Sequence, residues 1–187
     1  MRTFSALLFG ALAIASLSAG ADQKLVSAQS EITFITKQMG VPLEGKFRQF
    51  GAQVVFDPRK PEAAKIEIAV DVASATLGVA DTDAELVKPD WFSAKLFPQA
   101  TFKATTVKSL GNGKFEVSGK LAIKSIVHDV VVPLTLSQSA GNTVAVGTFS
   151  IKRLDYRIGE GDWKDTSIVA DPVQVSFKLL LSGVTPL

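Results

Sequence analysis

The sequence predicts an all-β fold of about eight antiparallel strands, interrupted once by a short helix. Two observations carry this. Apolar and polar residues alternate with a period of two along most of the chain, and clusters of Gly, Pro, Asn and Asp separate the alternating runs. A third observation locates the exception: "DTDAELVKPDWF", residues 81–92, breaks the alternation. A sheet of this kind closes into a barrel or stacks as a sandwich. Eight strands in a closed barrel leave an interior that side chains fill or that holds one small ligand.

The N-terminus is set apart from the fold. Residues 1–21 carry Arg2, an apolar run from Phe4 to Leu17, and Ala19-Gly20-Ala21. This is the layout of a cleavable secretory signal peptide, cut before Asp22, which leaves residues 22–187 as a single domain. The apolar run is shorter than the roughly 20 residues of a membrane-spanning helix. The chain has no cysteine, which excludes a lipid anchor on cysteine, thiol catalysis, thiolate metal sites and redox switching. A formal net charge of +2 is far from the strongly basic balance of a nucleic-acid binder.

The clearest strands follow in order. In "KIEIAVDV", Ile66, Ile68, Val70 and Val72 share one face, opposed to Lys65, Glu67 and Asp71. In "KFEVSGKLAIK", Phe115, Val117, Leu121 and Ile123 oppose Glu116, Ser118, Lys120 and Lys124. "VSFKLLL" turns Val175, Phe177, Leu179 and Leu181 inward. Weaker alternation marks Ile32–Gln38, Phe47–Asp57, Gln99–Leu110, Val127–Ser139 and Thr143–Leu154. Between them lie "DPRKPEA", "AGN" at Ala140–Asn142, and Gly111-Asn112-Gly113, a tight hairpin whose residues tolerate positive φ.

The exception has helix signals. Asp81 or Thr82 can cap a helix, Glu85 suits its first turn, and Pro89 ends it. Immediately afterwards "DWFSAKLFPQATF" concentrates Trp91, Phe92, Phe97 and Phe102. We expect this helix and aromatic loop to cover one end of the barrel, either as a solid plug or as the lid of a ligand pocket.

Four segments resemble the YceI-like family, and they stand along the chain in the family's order. They are "DTDAELVKPDWFSAKLFPQATF", "VSGKLAIKSIVHDVVVPLTL", "FSIKRLDYRIG" and "GKFRQFGAQVVFDP". In the third, Ile151, Arg153, Asp155, Tyr156, Ile158 and Gly159 match the family's I-x-R-x-D-(F/Y)-x-I-G pattern; in the last, Gly45, Phe47, Phe50 and Phe56 match. The resemblance spans Ile32 to Leu181. Trp91 stands where the family's first Phe of a pair is usual, and Ser125 where many members have Gly. It implies a lipocalin-like antiparallel barrel, exported to the periplasm, that binds a long polyisoprenoid or similar amphipathic lipid inside. A homodimer is also implied.

Given such a pocket, apolar contact supplies most of the affinity. One five-carbon isoprene unit gains on the order of 3–4 kcal/mol gross, so several units exceed the roughly several kcal/mol lost on association. An exposed ion pair to a head group adds only about 0–1 kcal/mol. The lining candidates are Phe47, Phe56, Ile66, Ile68, Phe102, Leu121, Phe149 and Phe177, with Trp91, Phe92 and Phe97 in the lid. For a phosphate-bearing head group the basic candidates are Lys46, Arg48, Arg153 and Arg157. Arg153 has a rival role as a structural pair with Asp155 on one strand face.

Catalysis is not expected. The single histidine, His128, has Asp129 on the opposite face of its strand, and no nucleophile elbow, metal-spaced cluster or phosphate-binding glycine loop occurs. "GEGDW", residues 159–163, reads as a hairpin loop. An outer-membrane barrel would need aromatic belts at two interfaces, and two Trp and one Tyr are too few. No cofactor or metal is expected. The alternative to a lipid carrier is a stress-related periplasmic protein with a filled barrel that acts through a protein partner.

Overall fold

A computed structural model describes residues 23–187. The expected signal peptide, residues 1–21, and its cleavage point lie outside the described residues. The alternating runs form one curled antiparallel sheet of 11 strands. In chain order these are β1 (Lys24–Leu25), β2 (Glu31–Gln38), β3 (Val41–Phe47), β4 (Phe50–Val55), β5 (Lys65–Asp71), β6 (Ala75–Thr76), β7 (Gln99–Gly111), β8 (Lys114–Ile123), β9 (Ile126–Ser139), β10 (Asn142–Lys152) and β11 (Pro172–Ser182). The spatial order is β4-β5-β7-β8-β9-β10-β11-β2-β3-β6, with β1 added along β11.

The expected lipocalin-like barrel is present with more strands than the eight anticipated. β1 and β6 are two-residue pieces. β3 was missed because "VPLEGKF" carries Pro42 and Gly45, which blur the alternation. The strand expected over Phe47–Asp57 is divided at Arg48–Gln49, and this division is what curls the sheet. β3 pairs with β2 at one edge, whereas β4 pairs with β5 at the other. Two residues of chain therefore join the sheet's two edges. The partner strand bends at the same level, through a single 3-10 turn, Val72–Ser74, between β5 and β6. Hydrogen bonds cross the bend: Arg48 N donates to Ser74 O at 3.1 Å and Asp71 N to Gln49 O at 3.0 Å. The Asp71 carboxylate accepts from Ala73 N at 2.9 Å and holds the turn.

The hairpins follow the turn chemistry. Gly111, Asn112 and Gly113 all have positive φ between β7 and β8, and Ala140 and Gly141 do so between β9 and β10. Lys124 and Ser125 join β8 to β9 with φ of 50° and 63°, the doubly left-handed turn that matches strand twist.

The sheet's faces are opposite in character to a membrane barrel. Cross-strand ion pairs decorate the outside, Lys103 with Glu67 at 2.6 Å and Lys120 with Asp129 at 2.9 Å. The concave face is apolar, with Ile32, Phe34, Val107, Val117, Leu121, Leu136 and Leu179 all buried. Among the described residues no helix is long and apolar enough to cross a membrane.

Three inward-facing glycines shape that concave face. Gly45 on β3 lies opposite Phe34 on β2, and Gly147 on β10 lies opposite Phe177 on β11. Gly119 on β8 sits under the ring of Phe102 on β7. At each, an added Cβ would collide with the phenyl ring. The rings can therefore lie down over bare backbone, against the wall, instead of standing into the interior. At Gly147 the new carbon would also fall 2.6 Å from Pro133 O, which is backbone and cannot swing away. Gly147→Ala should cost about 1–3 kcal/mol, a drop in Tm of roughly 2–4 °C per kcal/mol for a domain of this size. Gly51→Ala, where nothing lies within 4 Å, should leave Tm unchanged or slightly raised; thermal unfolding followed by circular dichroism checks both.

Candidate ligand-binding site

The barrel encloses a cavity of about 530 Å³, within the ~300–1,000 Å³ of small-molecule sites. One end is closed by Phe56 and Phe115, packed edge to face with centroids 5.4 Å apart. At the other end stands the expected helix, α1 (Ala80–Leu86), followed by the aromatic loop. The exposed residues Gln38 and Asp81 border the cavity on this side, so the space opens there.

α1 differs from expectation at its start. Val79 occupies the N-cap position and no side chain caps the helix. Asp83 instead turns back, its carboxylate accepting from Leu77 N at 2.6 Å and Thr76 Oγ1 at 2.5 Å. These bonds, led by that from Thr76, hold its carboxyl below the usual carboxylate range. The helix stops at Leu86 with Val87 as C-cap, in keeping with the constraint Pro89 places on Lys88. The loop then coils on itself: Phe92 N donates to Leu86 O and Ser93 N to Lys88 O. Phe92 is buried and meets Phe47 edge-on at 6.0 Å.

Of the lining candidates, Phe47, Phe56, Ile66, Ile68, Trp91, Phe92, Phe102, Leu121, Phe149 and Phe177 border the cavity. Phe97 does not; it lies half-buried in the loop beyond Phe92. Sequence reasoning missed Phe34, Thr36 and Trp163, all of which border the space. Phe34 and Thr36 were legible as inward members of the Ile32–Gln38 alternation. Trp163 was not, because it arrives from the long β10–β11 connection to stack on Trp91 at 5.4 Å.

That connection meets one expectation and corrects two. "GEGDW" does lie in the loop between paired antiparallel strands, the long β10–β11 hairpin connection, where Gly161–Lys164 forms a 3-10 turn. Arg153 and Asp155 do not pair on a strand face, since both sit in the 3-10 turn Arg153–Tyr156. Nor is Arg153 free for a head group. It is 1% exposed, and its guanidinium donates to the carbonyl oxygens of Ala170 (3.2 Å), Ile158 (2.7 Å), Gly159 (3.1 Å), Trp163 (2.5 Å) and Val169 (2.7 Å). Every N–H of the fork is used. Burial lowers its pKa from the ordinary arginine value, and Asp171 opposes that shift. Asp171, not Asp155, is the nearby opposite charge, and its carboxylate accepts from Leu154 N at 3.0 Å. Gly159, at φ +79°, leaves room for the guanidinium where a Cβ would strike it.

The remaining basic candidates point elsewhere. Lys46 projects from the outer side of β3, flanked by the inward Gly45 and Phe47. Arg48 donates to Thr76 Oγ1 at 3.0 Å and lies 4.0 Å from Asp83. Arg157 donates to Glu160 at 2.9 Å. None of these three borders the cavity. A second cation, Lys124, is also sequestered, its ammonium donating to Arg157 O (2.7 Å), Pro89 O (3.2 Å) and Glu160 Oε2 (3.2 Å). With Asp90 O accepting from Gly159 N and Glu160 N at 2.8 Å, it ties the aromatic loop to the β10–β11 connection.

His128 lies outside the cavity, its ring edge-on to Tyr156 at 4.9 Å and its Nε2 3.2 Å from Asp155 O. Burial pushes the Tyr156 hydroxyl up to about 12. No cluster of His, Cys, Asp and Glu that could hold a metal occurs among the described residues.

An apolar chamber in an antiparallel barrel, with aromatic residues at its open end, defines a binding protein of lipocalin-like build. The chain belongs to the YceI-like domain family, whose sequence profile matches residues 23–181. It is 31% identical over 135 residues to a UPF0312 protein of Shewanella baltica (strain OS195), covering 70% of each chain. The crystal structure of BcnA from Burkholderia cenocepacia is 42% identical, with a TM-score of 0.81 over 83% of this chain and 98% of that one. A polyisoprenoid binding domain from Saccharophagus degradans shares the fold at 16% identity, with a TM-score of 0.71 over 87% of this chain and 98% of that one.

The loop clasp is pH-sensitive in a defined direction. Glu160 is held below the usual carboxylate range, first by its hydrogen bond from Arg157 and then by Lys124. A carboxyl with a depressed folded-state pKa contributes stability above its ordinary value and loses it as pH falls through the folded one. Glu160→Gln should therefore lower Tm at pH 7, and the gap to the parent should shrink only as pH falls below the ordinary carboxylate range; paired melts over a descending pH series check this.

Proposed function

We propose that the protein is a non-catalytic carrier or store for a long-chain amphipathic lipid of the polyisoprenoid type, held in the barrel and exported to the periplasm. The apolar cavity carries this reading. Its lining is built of Phe, Ile, Leu and Val from nine of the eleven strands, with three of the phenyl rings lying on glycine. At about 25 cal/mol per Å², burying a long hydrocarbon chain in such a space outweighs the cost of association. The neighbour from Saccharophagus degradans, described as a polyisoprenoid binding domain, supports the ligand class. Export rests on the layout of residues 1–21.

The filled-barrel alternative has no observation in its favour, since it requires the interior that the glycine-backed rings leave open. The test is mass spectrometry of organic-solvent extracts from protein purified out of the periplasm without detergent. A stoichiometric polyisoprenoid or other long-chain lipid is the expected result. An extract with no lipid, from protein that also takes none up on incubation, would overturn the carrier reading.

A further inference from the structure

The exposed apolar side chains of this barrel are unevenly placed. Met39, Val41, Val79, Leu96 and Ile168 are all exposed and stand on the elements that frame the open end. The other large exposed apolar residues lie within β4, β7, β9 and β10, apart from Leu187 at the C-terminus. Met39 and Gly40 turn β2 into β3, and Met39 N donates to Ile168 O at 2.8 Å, which seats this hairpin tip on the β10–β11 connection. Val41 pairs with Gln38, a residue of the cavity border. Val79 is the N-cap of α1, and Leu96 belongs to the aromatic loop. The hairpin tips at the closed end are Gly111-Asn112-Gly113 and Ala140-Gly141, which present nothing larger than Asn.

Met39 is the informative member. It is 77% exposed, and its φ of 48° lies in the left-handed region, where a two-residue hairpin turn ordinarily has Asn, Asp or Gly. An apolar side chain is thus held in water on a backbone that disfavours it, and outliers of this kind concentrate at functional sites. Leu96 is 72% exposed on a loop that otherwise tucks its Phe92 inward.

The arrangement of the tips selects their partner. They ring the entrance of an apolar chamber instead of forming one continuous face, so they suit a fluid layer that admits separate side chains to a shallow depth, as the headgroup boundary of a bilayer does. A lipid that passes between bilayer and chamber avoids water only where the opening meets the bilayer. Exposed charges among the tips balance, Lys37, Lys95 and Lys164 against Glu44, Asp81 and Asp165. The attraction is therefore apolar, not electrostatic.

We propose that the open end is a membrane-docking face: the Met39 tip, with Val79, Leu96 and Ile168, inserts shallowly into a phospholipid surface and sets the chamber mouth against it. This rests on the lipid-carrier reading and adds the place where the lipid is exchanged.

The test is flotation of the protein with dioleoylphosphatidylcholine vesicles, beside quenching of its own fluorescence by phosphatidylcholine brominated in the acyl chains. The chain's two tryptophans, Trp91 and Trp163, both stand at the open end, so quenching reports that this end meets the bilayer. Flotation should persist in about 1 M salt, where the Debye length is roughly 3 Å, and should be accompanied by quenching. Met39→Asn places a favoured residue in the turn, so it should leave Tm unchanged or raised while weakening vesicle binding by roughly threefold; adding Leu96→Ser should bring the loss to roughly tenfold or more. Val131→Thr, exposed on the outside of β9, should change nothing. Flotation without quenching, flotation abolished by salt, or Met39 and Leu96 variants that bind like the parent would overturn the proposal. Uptake of N-phenyl-1-naphthylamine, an apolar fluorescent probe, without vesicles reads the chamber separately. Uptake with no flotation removes the docking face and leaves the carrier reading standing; neither uptake nor flotation removes both. Should Leu96→Ser fail to fold, Met39→Asn and the unmodified protein still decide the question.

Discussion

The contact between a phenyl ring and a bare stretch of backbone governs this barrel. A sheet curled to this radius tends to fill with its own inward side chains. At Gly45, Gly119 and Gly147 the absent Cβ lets Phe34, Phe102 and Phe177 lie along the wall. Three of the largest apolar side chains thereby cover glycine backbone that would otherwise be weakly packed, and they do so without occupying the centre. Strand stability and an open interior are reconciled by one device. Glycine in a strand is ordinarily a loss of order and of packing; here the neighbouring ring supplies the packing.

The second constraint is the treatment of cations at the open end. Arg153 and Lys124 are both buried, yet neither faces a ligand. Each serves backbone carbonyls of loops that have no sheet to pair with. Arg153 gathers Ala170, Val169, Trp163, Gly159 and Ile158, so the long β10–β11 connection wraps around a single guanidinium. Lys124 links Pro89 of the aromatic loop to Arg157 and Glu160 of that connection. The planar fork with its fixed set of donors explains why arginine rather than lysine holds the first position. A consequence for binding follows directly. Cations consumed as clasps are not available to neutralise a phosphate, and the residues left beside the cavity on α1 are acidic.

Much of this was legible in the sequence, and what was not has identifiable causes. Strict alternation in "KIEIAVDV", "KFEVSGKLAIK" and "VSFKLLL" identified inward faces because a period of two has only one reading on a half-buried sheet. β3 escaped because Pro42 and Gly45 interrupt its pattern, although Gly45 is there for the ring of Phe34. The break at Arg48–Gln49 has no local signature: it is a consequence of two edges having to meet. Trp91, Phe92, Phe102 and the inward phenylalanines could be placed from their own strands and loop. Thr36 was passed over because a polar residue inside an apolar row reads as a flaw in a strand, although it borders the cavity with the rest of that row. Arg153 was misjudged for a related reason. A basic residue near a pocket suggests a head-group contact, and only the folded positions of five carbonyls in the connection that follows it show otherwise.

The measurement that bears most directly on a hollow, apolar interior is a crystal structure of the delipidated protein under xenon pressure, since dry apolar cavities take up xenon. Xenon should appear among Phe34, Phe102 and Phe177, with the three rings flat against Gly45, Gly119 and Gly147. Rings turned inward to fill the space, with no xenon between them, would contradict the hollow barrel and every reading of ligand chemistry built on it.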